Sequence, residues 1–511
     1  MSVWRTEKRA AHGPRGMVAC QHWRAAEAGA AALAAGGNAV DAAVTAALTL
    51  SVVEPWLSGL GGGGFMVRMD RDGAAQVLDF NVASGSRVDP ADYPPAGGRD
   101  GDWFDWPAVV DDRNLRGWTS VCVPGAVAGL AEALERFGSL TFAEALAPAI
   151  AEAEHGLRVD WYTALCLAID APNLARCPDA AALFLEDGRA PALPEGTAEI
   201  ARPWPAKAAL LKRLAEAGPR DFYEGESAAL LLADLAEGGA PIEAADLAAY
   251  RPAWRAPLGA RYRDLDLALV PGASGGPALA DALGRMTTSI VPGGAADGAH
   301  MAACADAIRA AYEVRLRTQP HGGQSCTTHI SAVDADGTFV SLTNTLLSRF
   351  GAKVVSGRTG LPLNNGMMWF DPRPGTPNAI APGTRPLANM CPLVAARDGT
   401  PVLALGAAGG RQIFPAIAQI LSYLADVGMD LETAFHAPRI DASSPLVAVP
   451  DTAPADAAGR IARSHKVAVV ADTLYPVRFS VPSAVMRAEG GSVGMAHPNH
   501  PWSAAVAEPA R

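Results

Sequence analysis

Several familiar signatures are missing from this sequence, and each gap removes a class of function. No CxxC pair occurs, and the seven cysteines (Cys20, Cys122, Cys166, Cys177, Cys304, Cys326 and Cys391) are odd in number and scattered. That speaks against a disulfide framework and points to a reduced, cytoplasmic protein with free thiols. Basic residues are outnumbered, 42 Lys and Arg to 53 Asp and Glu, for a net charge of −11. Nucleic acid and anionic membrane are therefore poor candidates for a main partner. The longest apolar run, "AVDAAVTAALTLSVV", contains Asp41 and is too short to span a bilayer. Residues 1–25 carry Arg5, Lys8, Arg9 and Arg15 with no apolar segment behind them, so no secretory signal is expected. HExxH motifs, Cys/His clusters and Asp/Asn ladders are absent as well. No metal or cofactor is expected, and His497 and His500 in "HPNHP" read as a surface turn. Aromatics amount to only 6% of the residues.

What is abundant is alanine and glycine. Half of the 511 residues are hydrophobic, enough to bury a large core, so helices should pack through small side chains. Residues 23–35 have helical periodicity and stop at Gly36-Gly37, and Asn38 can cap a second helix, "AVDAAVTAALTLSVV". Gly59, Gly61 and Gly64 match GxGxxG, but here a helix precedes and the strand "FMVRMD" follows. A dinucleotide fingerprint needs the opposite order, so the run reads as a tight helix-to-strand turn. Residues 94–118 read as loop, "DLDLALVPG" as a strand, and "GPALADALGRM" as a helix. Helices and strands interleave along the chain, which suggests one layered domain.

Two stretches could carry a nucleophile. "GASGG" (272–276) fits GxSxG around Ser274, with a strand before it and a helix after, as a serine esterase elbow requires. Asp430 and His436 are acids and bases available downstream. The alternative is a turn whose serine caps the helix. The second stretch is "TTHISAVDADGTFVSLTNTL". A three-residue loop of Ala335, Asp336 and Gly337 closes a hairpin whose register places Thr327 opposite Thr345. The Gly-rich connection 318–325 just before it is suited to be exposed and cleavable. Cleavage of the Cys326–Thr327 bond would leave Thr327 with a free α-amino group. Such an amine has a pKa near 8 and can act as the threonine's own base. The plain alternative is a β-branched pair starting a strand. Gly409 and Gly410 lie between the strand "PVLALG" and a helix expected near Arg411, where backbone N–H groups can hold an oxyanion.

Together with "GGNAVDAAVTAALTLSVVEPWLSGLGGGGFM", "VPGAVAGLAEALERFG", "GLPLNNGMMWF", "APGTRPL" and "LGAAGGRQI", these segments resemble the γ-glutamyltranspeptidase family of N-terminal-nucleophile hydrolases. The resemblance covers nearly the whole chain, in order. It implies an α+β, four-layer αββα fold. It also implies a precursor that cuts itself into a large fragment, 1–326, and a small one, 327–511, intertwined as one structural domain. Thr327 falls on the family's nucleophile, Thr345 on its supporting threonine, and Gly409 and Gly410 on the oxyanion glycines. The expected partners are a small-molecule amide and the two fragments for each other, with a homodimer of processed heterodimers left open.

The departures lie where the family binds a γ-glutamyl group. Asn81 stands at the place of the carboxylate-binding arginine, and Leu347 at that of an asparagine. Gly366 and Trp369 replace the acidic or amide residues that hold the α-amino group. Ala388 and Asn389 replace paired serines. Burying a zwitterionic head group without opposite charges costs several kcal/mol, so an apolar or flat acyl group is expected beside Met367, Met368 and Trp369. Arg87, Arg349 or Arg411 could restore a carboxylate clamp, with Arg411 best placed beside the glycines. The loop between "PGTPN" and "AIAPG" is shorter than in typical members, so a missing lid and hydrolysis in preference to transfer are expected. A true γ-glutamyl enzyme with a rearranged pocket, an esterase using Ser274, and a non-catalytic binding protein are the remaining readings.

Overall fold

Strand-forming residues on either side of Asp334 close the expected hairpin. In the computed structural model, which describes residues 4–99, 107–318, 326–475 and 477–509, strands Cys326–Val333 and Phe339–Leu347 pair antiparallel. Gly337 takes the left-handed conformation at φ +93° and donates its N–H to the Asp334 carbonyl at 3.2 Å. The pairing sets Thr328 against Asn344 and His329 against Thr343, the register expected. A bulge interrupts it between Cys326 and Thr328.

This hairpin is the middle of a seven-stranded sheet. Met17–Cys20 pairs with its first strand and Gly63–Met69 with its second. Ala504–Ala507, Ala75–Phe80 and Ala253–Arg255 complete the sheet. The glycine run 61–64 is what lets Gly63–Met69 lie so close. A Cβ on Gly62 would overlap the Thr345 carbonyl oxygen, and one on Gly64 the Thr343 carbonyl oxygen. A second seven-stranded sheet runs in the order Ala11–Gly13, Gly491–Ala496, Val481–Ala488, Thr400–Ala408, Leu393–Arg397, Leu265–Leu269, Leu258–Tyr262.

Side chains along each strand alternate between two cores, as a pleated strand requires. Val18, Ile330, Leu342 and Leu78 face the helices of the first sheet, whereas Met17, Ala19, Val333 and Val77 face the second sheet. Leu267, Leu403 and Leu405 face the helices of the second sheet, whereas Ala268 and Ala404 face inward. Three cores thus separate four layers, helix, sheet, sheet, helix, and the αββα expectation holds. Helix Ala39–Val53 is buried along its whole length, which explains why it is apolar on every side. Asn38 caps it, and Asp41 accepts from Ser139 and Leu140 N–H at 2.9 and 3.0 Å.

The segment 94–118, read as loop, includes two short paired strands, Pro95–Arg99 and Pro107–Val109. The helix expected near Arg411 opens as a 3-10 turn, Gly410–Gln412, and becomes α-helical at Ile413–Ser422. Residues 319–325, most of the connection read as cleavable, lie outside the described residues. Among the described residues no helix is long and apolar enough to cross a membrane.

Strands from both sides of residue 326 are present in both sheets, and the stretches before and after it share every core. Replacing Gly64 with Ala should lower the denaturant midpoint of unfolding, at a cost of about 1–3 kcal/mol, because the added methyl must displace a central strand.

Candidate active site

The bulge at the start of the hairpin brings two threonine side chains together. Thr327 Oγ1 donates to Thr345 Oγ1 at 3.3 Å. Thr345 Oγ1 in turn accepts the Leu347 N–H at 2.8 Å, and Thr345 N–H donates to Asn344 Oδ1 at 2.9 Å. Leu347 can aim its N–H this way because its backbone adopts φ +82°. That conformation is uncommon for a residue with a β-carbon and costs on the order of 1–3 kcal/mol. Cys326 pairs through its backbone with this same leucine.

Thr327 is buried, yet it forms part of the wall of a cavity of about 740 Å³. Gly409 and Arg411 lie on the same wall. Gly409 and Gly410 both have positive φ, +129° and +60°. They turn the chain from strand Thr400–Ala408 into the helical segment that continues as Ile413–Ser422. A Cβ at Gly409 would lie 3.0 Å from Ser480 Cα, so the turn is also packed tightly from behind. The positive end of a helix dipole thus faces the cavity that Thr327 lines. The lining carries four basic residues, Arg349, Lys353, Arg411 and Arg478, and two acidic ones, Asp170 and Asp441. Arg349 pairs with Asp170, and Lys353 Nζ lies 3.4 Å from the same carboxylate. Gln412 donates to Asp441 at 2.8 Å. Trp56, Leu57, Val470 and Phe479 supply apolar surface.

Of the seven residues placed at substrate-binding positions by sequence, Arg411 alone lines this cavity. Asn81 is buried and donates to the Pro386 carbonyl at 3.0 Å, while its own carbonyl accepts from Tyr250 at 2.7 Å. Leu347 and Trp369 belong to the core between the sheets. Gly366 sits against Cys122, with no room for a side chain. Ala388 and Asn389 lie beside Arg315, which donates to the Ala388 carbonyl at 2.8 Å. Arg87 is on the surface, 3.7 Å from Glu243. Of the three arginines considered for a carboxylate clamp, Arg349 and Arg411 reach the cavity.

Ser274 is completely buried. Its hydroxyl donates to the Val270 carbonyl at 2.7 Å and accepts at 3.1 Å the N–H of Gly276, the first residue of a helix whose N-cap is Gly275. Neither Asp430 nor His436 serves it. Asp430 caps helix Leu431–His436, and His436 Nδ1 meets the Glu432 carbonyl at 2.8 Å. The "HPNHP" segment is not a surface turn, since His497 and His500 are both buried. Their polarity misleads: one nitrogen of each ring is bonded from within, His497 Nδ1 by Arg439 at 3.2 Å and His500 Nδ1 by the Ser503 N–H at 3.3 Å. Burial pushes His500 down to about 3, helped by Lys8 and His22, so its ring is neutral where it reaches the cavity. Among the described residues no group of three His, Cys, Asp or Glu is arranged to hold a metal ion.

Sequence reading also missed Glu54. It follows the apolar helix, is fully buried, and accepts from the Thr328 hydroxyl at 3.1 Å. Burial raises it to about 8, against a smaller lowering by that hydrogen bond. The one available signal was a lone acid inside the apolar stretch "LSVVEPWLSG".

The model of the gamma-glutamyltranspeptidase family matches residues 25–320 and 316–507. The chain is 35% identical over 505 residues to an acylase ACY 1 proenzyme of Pseudomonas sp. (strain V22), covering 90% of this chain and 88% of that protein. It is 33% identical over 487 residues to a glutathione hydrolase proenzyme of Pseudomonas aeruginosa, covering 83% and 82% of the two chains. In three dimensions it superposes on a cephalosporin acylase from Bacillus halodurans with a TM-score of 0.85, at 24% identity over 99% of this chain and 98% of that one.

Thr345→Val should destabilise the fold by about 1–3 kcal/mol, because the Leu347 N–H and the Thr327 hydroxyl then face a methyl group. Thr345→Ser should restore most of the loss in chemical denaturation. Ser274→Ala should cost about 1 kcal/mol through the weakened helix start and leave any hydrolytic activity intact. Loss of activity in that variant, with the fold preserved, would revive the esterase reading.

Proposed function

This chain belongs to the gamma-glutamyltranspeptidase family, and from that premise we propose that Thr327 is its nucleophile, exposed by self-cleavage of the Cys326–Thr327 bond. Its activity class is that of its relatives, amide hydrolysis or acyl transfer by an N-terminal-nucleophile hydrolase. The observation that carries the assignment is the Thr327–Thr345 hydroxyl pair at 3.3 Å, on a cavity wall shared with Gly409.

In the proposed self-cleavage Thr327 Oγ1 attacks the Cys326 carbonyl carbon. The C–N bond breaks, an ester forms, and the hydroxyl proton ends on the freed amine. Water then hydrolyses the ester and leaves two fragments, 1–326 and 327–511. The relatives named proenzymes support processing of this kind. In turnover the same hydroxyl attacks the amide carbonyl of a substrate. The α-amino group of Thr327 takes the proton and hands it to the leaving amine. The backbone N–H groups of Gly409 and Gly410 stabilise the oxyanion, and Thr345 orients the nucleophile. Water clears the acyl-enzyme. Hydrolysis is proposed over transfer, in line with the shortened loop. A cytoplasmic setting is proposed with it, since the six cysteines whose side chains are described are buried and form no disulfide with one another.

The acyl group proposed is one with a single carboxylate and no α-amino group, such as glutaryl. The four basic lining residues, Arg349, Lys353, Arg411 and Arg478, outnumber Asp170 and Asp441 and so leave an excess of positive charge for a carboxylate. The family's positions for an α-amino group are occupied here by Gly366 and Trp369, packed into the protein. The glutaryl and γ-glutamyl anilides differ only by that amino group. kcat/KM should favour the glutaryl compound by about tenfold or more. The opposite preference would return the chain to γ-glutamyl chemistry. Thr327→Ala should remain a single uncut chain without turnover, and a cut, active variant would remove Thr327 from the mechanism.

A further inference from the structure

We propose that Glu54 is a positioning residue for Thr327, clamping Thr328 from the large fragment and thereby fixing the N-terminus that self-cleavage creates. The inference rests on Thr327 being the nucleophile.

Cutting the chain before Thr327 turns an interior strand into a free strand end, and free ends fray. A nucleophile that carries its own base on its first residue cannot tolerate fraying, because a misplacement of about 1 Å can cost two orders of magnitude in rate. The contacts that hold this end are therefore informative. Thr327 reaches Thr345 on its own fragment. The next two residues are held from across the cut. His329 N–H donates to Gln21 Oε1 at 3.1 Å, and the Thr328 hydroxyl bonds Glu54 Oε2 at 3.1 Å.

Glu54 is built for this task in an unusual way. Helix Ala39–Val53 ends on it, with its N–H bonded to the Leu50 carbonyl at 3.0 Å, and Pro55 prevents the helix from continuing. Its side chain points into the protein and is 0% exposed. Among the described residues Oε1 has no hydrogen-bond partner, and His500 Nε2 stands 4.0 Å away. His500 Nδ1 accepts the Ser503 N–H, so the neutral ring keeps its proton on Nε2, facing Glu54. The other titratable groups around the pair are Cys20, which senses the Glu54 charge, and Lys8 and His22, which act on His500, with the Tyr162 ring edge-on to His500. Burial raises the carboxyl to about 8 and so favours its uncharged form. An uncharged carboxyl holds Thr328 without placing a negative charge beside the amine that must stay neutral to act as a base. A carboxyl with one oxygen idle is a costly element in an apolar region, and the strand end it grips gives it a purpose.

The test is Thr328→Val, which keeps the shape of the strand and removes the hydroxyl. Wild type and variant are first checked by denaturing mass for a small fragment beginning at Thr327. A wild-type protein that is uncut, or cut elsewhere, refutes the nucleophile assignment itself, not this inference. In the cut Thr328→Val enzyme kcat should fall by about tenfold or more, with KM changed by less than about twofold. Glu54→Leu should give the same fall, the double variant no further loss, and Glu54→Gln should recover most of the rate because its amide still bonds Thr328. Wild-type kcat in Thr328→Val would overturn the proposal. So would additive losses, or a folded variant that no longer cuts itself, since the contact would then serve cleavage and not turnover.

Discussion

Two hydroxyls 3.3 Å apart, on Thr327 and Thr345, set the terms for much of the surrounding structure. Bringing them together requires a hairpin in a single register, a bulge that releases the first strand from the ladder at that point, and a supporting residue that is itself held. Leu347 provides the last by adopting φ +82° and donating its N–H to Thr345. The strand behind must come close enough to fix the hairpin, and the side-chain-free run at 61–64 allows that approach. Strain at Leu347 and missing side chains at four consecutive glycines would be liabilities elsewhere. Here both are spent on one contact.

The cavity around that contact explains why the machinery and the specificity can diverge. Thr327, Thr345 and the glycine turn come from central strands of the two sheets, whose positions are set by three shared cores. The basic part of the wall comes from Arg349 and Lys353, after strand Phe339–Leu347, from Arg411, after strand Thr400–Ala408, and from Arg478, just before strand Val481–Ala488. In the proposed reading, changes there alter which acyl group fits without moving Thr327. The excess of basic over acidic side chains suits an anion, whereas a zwitterion needs an acid at a defined place as well.

Much of this was legible in the sequence, for identifiable reasons. Helix Ala39–Val53 with its Asn38 cap and the hairpin with Gly337 at its turn follow from local chemistry, and the hairpin register brings Thr345 near Thr327, whereas the bulge before Thr328 was not legible. The glycine turn at 409–410 lies between two strong periodic patterns. The substrate positions were less legible, because motif matching assigns a place in a chain and not a direction. Asn81, Gly366, Trp369, Ala388 and Asn389 occupy matched positions yet pack into the protein away from the cavity. His500 was misjudged because flanking prolines and polarity look like surface, and only the fold reveals that the segment is folded inward. Glu54 was hard to single out for a related reason, since its hydrogen-bond partner Thr328 lies 274 residues away along the chain.

Everything proposed for Thr327 turns on whether the Cys326–Thr327 bond is cut. The intact mass of freshly purified protein, taken under denaturing conditions and followed by N-terminal sequencing of each component, tests it directly. Two components, the smaller beginning at Thr327, are the predicted result. A single full-length mass that persists on incubation, in a preparation that nonetheless hydrolyses amides, would contradict it, because Thr327 would then have no free amine to serve as its base.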